Sequence, residues 1–185
     1  MQVKTTVPSR VAALIEMNVR WLRQAVRLLD RLSDDAYATT PRGFAPHRAG
    51  AHLRHILEFY QCFLEGIDSS HIDYDARRRN EAVEANRTVA AAAMRSVIRE
   101  LKTCPALHSE RIIWVRMEDA EANAVDDSFM ESSVSRELQV LSSHTIHHFA
   151  LIAMTLRMHG VEMDADFGVA PSTLRYLAAK SGEAA

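Results

Sequence analysis

The sequence predicts an all-α fold, a four-helix bundle with a short extra helix at its C-terminal end. Three observations carry that expectation. Apolar residues recur at helical spacing in four stretches of roughly twenty residues each. Clusters of Ser, Asp, Pro and Gly separate those stretches. The 185 residues, 48% hydrophobic and 25% charged, suffice for one buried core and show no repeat or composition break. A single domain over residues 1–185 is therefore expected.

The first helix takes Ser9 as N-cap and runs to about Leu32, with Val11, Leu14, Ile15, Leu22, Val26 and Leu29 on one face. Residues 33–43 read as a loop. The second helix runs from about Arg48 to Ile67, with Leu53, Ile56, Phe59, Tyr60, Phe63 and Leu64 as a broad apolar face. Residues 68–80 are polar, end in Arg77, Arg78 and Arg79, and read as a crossover loop. The third helix, about Glu81 to Thr103, is rich in alanine and stops before Pro105, since a residue preceding proline disfavours the helix. Residues 111–117 have the β-branched and aromatic content of a short strand, so a small hairpin between helices three and four is allowed for. Ser132 or Ser133 caps the fourth helix, which runs from Val134 to about His159, and Gly160 supplies the stop. Ser172 opens the last short helix, through Ala179.

The formal net charge of −2 lacks the basic excess of a nucleic-acid binder. Two cysteines, Cys62 and Cys104, make no disulfide framework and fit a reducing compartment. Residues 1–8 hold no apolar leader, and no uncharged run is long enough to span a membrane. A cytoplasmic location is expected. The nine histidines are the compositional oddity.

On the fourth helix, His144 and His148 are one turn apart and about 40° apart in angle, with Cβ atoms ~6 Å apart. They border the apolar arc of Val134, Leu138, Leu141, Leu151 and Ile152, so both point to the interior or its rim. Two desolvated imidazoles need two partners, and one metal ion satisfies both. The second helix offers His52 and His55 as a third nitrogen. Periodicity favours His52 by a small margin, because it falls inside the apolar arc and His55 at its edge. Three imidazoles leave coordination positions open to water or substrate, and their ligand type suits zinc, nickel or iron.

Ala49 to Glu58 in the second helix, with His144, His148 and the following Phe149-Ala150-Leu151-Ile152, resemble the DinB/YfiT-like superfamily of metal-dependent enzymes. In that family the helix-two ligand is a His followed by two apolar residues and an acid. His55-Ile56-Leu57-Glu58 has this pattern and His52-Leu53-Arg54-His55 does not, so the resemblance selects His55, with His144 and His148 as the other two metal ligands. It implies a bacterial four-helix bundle, a homodimer, and chemistry on a small molecule. That chemistry is thiol S-transfer, thiol-dependent isomerisation or amide hydrolysis, with a low-molecular-weight thiol as a partner.

The remaining polar residues read more plainly. Glu58 is expected as an exposed helix carboxylate, with a general base or an acceptor behind the metal site as the alternative. His52 is expected to pack or hydrogen-bond nearby, so that its loss costs stability more than metal affinity. His147 reads as a rim residue, Glu137 as an arginine's ion-pair partner, and Cys62 as a buried inert thiol. His159 reads as a helix cap, and His47, His71 and His108 as loop residues. Arg77–Arg79 read as solvated, or as a grip for an anionic substrate. Met154 and Met158 read as packing residues. The third helix offers Val83, Val89, Ala90, Ala93, Met94, Val97 and Ile98 as the face of the dimer.

Overall fold

The computed structural model describes residues 9–43, 47–117 and 129–182, so the reading of residues 1–8 lies outside it. Helices dominate the described residues. In chain order these are α1 (Arg10–Arg31), α2 (Asp34–Ala38), α3 (Ala49–Gly66), α4 (Glu81–Ala85), α5 (Arg87–Thr103), α6 (Val134–Met158) and α7 (Pro171–Gly182). Three short strands, β1 (His71–Asp73), β2 (Ile112–Arg116) and β3 (Met130–Ser133), form one sheet in that order. The four long helices pack in a closed ring of contacts: α1 lies against α5 and α6, and α3 lies against the same two. The fully buried side chains between them include Leu22 and Leu28 of α1, Leu53 and Ile56 of α3, Met94 of α5, and Leu141 and Phe149 of α6.

The helix ends follow their capping chemistry. The Ser9 hydroxyl accepts from the Ala12 amide at 3.2 Å, and the Ser133 hydroxyl accepts from the Arg136 amide at 3.3 Å. Gly160 takes φ +73°, a left-handed conformation that glycine adopts without Cβ strain, and α6 stops there.

Three expectations need correction. The third helix is broken: Asn86 adopts extended φ −129°, ψ 110° and accepts at Oδ1 from the Thr88 and Val89 amides, at 2.9 and 3.2 Å. An asparagine cap competes with continuing the helix, so α4 ends and α5 begins at one residue. The loop after α1 contains α2, capped by Ser33, whose hydroxyl accepts from the Ala36 amide at 3.1 Å. The crossover of residues 68–80 contains β1, which pairs parallel to β2 with Ile72 opposite Val115. Ile72 of that strand and Tyr74 just after it are buried. The β2 strand itself alternates, with Ile113 and Val115 inward and Ile112 and Trp114 exposed, and pairs antiparallel with β3.

A polar seam crosses the core beside the histidines. Asn18 of α1 donates through Nδ2 to the carbonyls of Leu14 and Leu138, both at 2.9 Å. The Tyr60 hydroxyl of α3 donates to Asn18 Oδ1 at 2.7 Å and lies 3.1 Å from Thr145 Oγ1 of α6. Asn18, Tyr60 and Thr145 are all at 0% exposure, so these bonds form away from water and fix the rotation of α3 and α6 about their axes. Gly50 brings α4 onto α3: a Cβ there would lie 2.1 Å from the Glu84 carbonyl oxygen. Among the described residues no helix is long and apolar enough to cross a membrane.

Candidate metal centre

With α3 and α6 held by that seam, His55 meets His144 and His148. One ring nitrogen from each lies within 4.8 Å of the others. The ring centroids are 4.9 Å apart for His55 and His144, 4.7 Å for His55 and His148, and 4.5 Å for His144 and His148. His144 and His148 face each other through Nε2 at 3.0 Å. All three side chains are half-buried. The three nitrogens could hold a metal ion.

The donor set can be tested against an ion's needs. A tetrahedral ion with Zn–N distances of ~2.0–2.1 Å places its nitrogens about 3.4 Å apart. The 3.0 Å pair is slightly tighter than that and the 4.8 Å outer separation is wider by about 1.4 Å, so the rings must draw together by side-chain rotation to hold an ion. Protonation favours ligation as well. Burial first, then the neighbouring His55, lowers the His144 pKa from 6.5 to about 4. Burial and then His144 and His55 lower that of His148 further, to about 2. Both imidazoles are therefore neutral at pH 7, the form that binds metal.

The surroundings sort the other candidates. His52 is not in the three-nitrogen group; its Nδ1 lies 3.0 Å from His148 Nδ1, on the far side of that ring. Its own pKa is lowered by burial and then by His47, which stacks on it at 5.5 Å. His47 thus stands beside the site, which its loop position did not suggest. His147 is exposed with its ring 5.3 Å from His148, as a rim residue would be. Phe59 lies 4.0 Å from the His144 ring and stacks on Tyr74 behind it.

Glu58 differs from expectation. It is buried at 3% exposure, accepts from Arg54, and places Oε2 3.9 Å from His55 Nδ1. That is an ion-pair distance and too long for a hydrogen bond. Arg54 in turn donates to Glu84 at 2.6 Å, which α4 brings close through Gly50. Among the described residues the hydrogen-bond donors to Glu137 are hydroxyls: it accepts from Tyr74 at 2.9 Å and from Ser132 at 2.6 Å. Two hydroxyls replace the expected cation. Cys62 is buried, and burial followed by Glu65 pushes its thiol up to about 11, so it is inert at neutral pH.

The arginine run divides. Arg78 and Arg79 are exposed, whereas Arg77 is half-buried with its guanidinium carbon 4.9 Å from the Phe59 ring centre. His159 caps α6 and has Nε2 3.0 Å from the Thr39 carbonyl oxygen. His71 and His108 are exposed. Met154 and Met158 are each 51% exposed, so they are surface residues rather than packing ones.

The cleft that touches this region has a volume of about 210 Å³ and is lined by Glu58, Gln61, Cys62, Glu65, Ala76, Arg78 and Asn80. Larger clefts of about 360, 430 and 440 Å³ lie elsewhere and are lined by none of the three histidines. The chemistry here follows the imidazoles rather than the largest hollow.

No protein-family model matches the chain, and no solved structure matches it. FK506-binding protein 5 of Rhizopus delemar is 30% identical over 111 residues, which make up 57% of this chain and 27% of that relative. The chain therefore spans about a quarter of that relative's length, and the likeness is confined to that part.

Proposed function

We propose that the chain is a divalent-metal-dependent enzyme of the DinB/YfiT-like four-helix-bundle type. His55, His144 and His148 would hold one ion of zinc, nickel or iron. The observation that carries this reading is the convergence of three imidazole nitrogens, from two helices, within 4.8 Å. The bundle assignment is supported by the four long helices, each packed on two of the others. The fungal relative is matched over too little of its length to bring an activity with it.

A bound divalent ion on three neutral nitrogens lowers the pKa of a water or thiol that completes its shell. The protein's own residues do the rest. Phe59 covers one side of His144 and excludes water there. Glu58, held by Arg54, acts through His55 by its charge, which leaves it a positioning acid rather than the base that takes the substrate's proton. The substrate class is a small molecule, with a low-molecular-weight thiol as reactant or co-reactant, and the location is the cytoplasm. The balanced charge speaks against nucleic acid.

A second reading has an observation of its own. His52, His148 and His144 form a chain of 3.0 Å contacts that needs no ion, as in a non-catalytic bundle with a structural histidine network. Elemental analysis of protein purified without a histidine tag separates the two. The enzyme reading expects about one ion per chain, lowered in His55→Ala, His144→Ala and His148→Ala, together with metal-dependent consumption of a thiol in the presence of an electrophile. Full retention of metal in the double variant His144→Ala/His148→Ala would remove the site. A metal that supports neither thiol consumption nor hydrolysis would favour the structural reading.

A further inference from the structure

We infer that His52 is the positioning residue that commits His148 to bind metal through Nε2. This rests on the metal-site reading above and deepens it. His148 has both ring nitrogens engaged: Nε2 faces His144 at 3.0 Å, and Nδ1 faces His52 Nδ1 at 3.0 Å. A neutral imidazole carries one proton. When Nε2 gives its lone pair to a cation, the proton must sit on Nδ1, and Nδ1–H then needs an acceptor.

Among the described residues the hydrogen-bond partner of that nitrogen is His52 Nδ1. The carboxylate of Glu58 stands by His55 instead, with Oε2 3.9 Å from its Nδ1. His52 must therefore offer its Nδ1 lone pair and keep its own proton on Nε2. That nitrogen is buried and finds no hydrogen-bond partner among the described protein groups. An unpartnered buried N–H is a cost, and it is the one a residue would bear if its opposite nitrogen were reserved for His148.

The chemistry has a consequence. Metal-bound histidines usually donate to a carboxylate, a carbonyl or water, and a carboxylate raises the ligand's basicity most. A neutral imidazole accepts the proton without adding negative charge. The ion then keeps more of its positive character, as an ion that must activate a water or thiol requires. His47, stacked on His52 at 5.5 Å, fixes the plane of the accepting ring. This revises the expectation that loss of His52 costs stability more than metal affinity.

Zinc titration of the full chain by calorimetry tests the inference, with circular dichroism to verify folding. His52→Leu, which keeps bulk and loses the acceptor, is expected to weaken zinc binding about 10–100-fold. His52→Asn, whose Oδ1 can stand where Nδ1 stood, is expected to remain within about threefold of the parent, the margin by which such effects vary with context. Equal losses in the two variants, or none in His52→Leu, would overturn the role of His52 while leaving the site intact. Failure of the unmodified protein to bind zinc, nickel and ferrous iron alike would overturn the metal-site reading itself. Should His52→Leu not fold, 15N spectra of the zinc-loaded parent decide. They are expected to show the His148 proton on Nδ1, and a proton on Nε2 overturns the inference.

Discussion

At the scale of single residues, the histidines make the metal-free protein sensitive to acid. The folded-state pKa of His144 is lowered to about 4 and that of His148 to about 2, while an unfolded chain titrates both near 6.5. Below pH 6.5 the unfolded state takes up protons that the folded state refuses. Stability is therefore full above that value and falls as the pH drops from 6.5 through about 4. Urea unfolding midpoints of chelator-treated protein across pH 4 to 7.5 measure this. His148→Gln is expected to flatten the decline, and a parental slope in that variant would refute the cause. Tyr60→Phe belongs to the same scale. It leaves Asn18 Oδ1 buried without its donor and is expected to cost about 1–3 kcal/mol of stability.

At the scale of elements, two junctions position the site's outer residues. Asn86→Ala removes the cap that separates α4 from α5 and is expected to cost about 1 kcal/mol, read as a lower unfolding midpoint. Gly50→Ala is expected to do more. Its Cβ would meet the Glu84 carbonyl oxygen at 2.1 Å, so α4 must move away and draw Glu84 from Arg54. A Gly50→Ala protein with parental stability would show that the two helices give way easily. The same elements show what a sequence can reveal. α1, α3 and α6 were readable because each repeats its apolar positions over several turns. The break at Asn86 was present as a capping residue but lay inside an alanine-rich run whose composition argues for continuation. β1 was invisible because three residues are too few to show alternation, and its partner lies about forty residues further along. The choice between His52 and His55 could not come from periodicity. Both face α6, one on each side of His148, so the preference for His55 came from the His-apolar-apolar-acid pattern of His55 to Glu58, and the packing brings that residue's ring beside His144.

At the scale of the whole molecule, the face expected to pair two copies is largely used within one. Val83, Ala90, Met94 and Val97 are buried inside the fold, leaving Val89 exposed. Exposed apolar residues lie instead on the sheet, at Ile112, Trp114 and Met130, and on the last turns of α6 and on α7, at Met154, Met158, Leu174, Tyr176 and Leu177. We retain a homodimer as a proposal, and light scattering at micromolar concentration tests it. A mass near 20.8 kDa, unchanged on concentration, rules it out.

The division of the three candidate ligands between α3 and α6 reaches beyond chemistry. An ion held by His55 and His144 ties together chain positions separated by α4, α5 and the whole sheet. It would act as a reversible cross-link, closing a long loop in a way the unfolded chain cannot match. At a free concentration one hundred times its dissociation constant, such an ion stabilises the fold by about 2.7 kcal/mol. Amide hydrogen exchange should then slow in α3 and α6 together on loading, although the two helices are far apart in sequence. Slowing confined to α6 would mean that His144 and His148 hold the ion without His55.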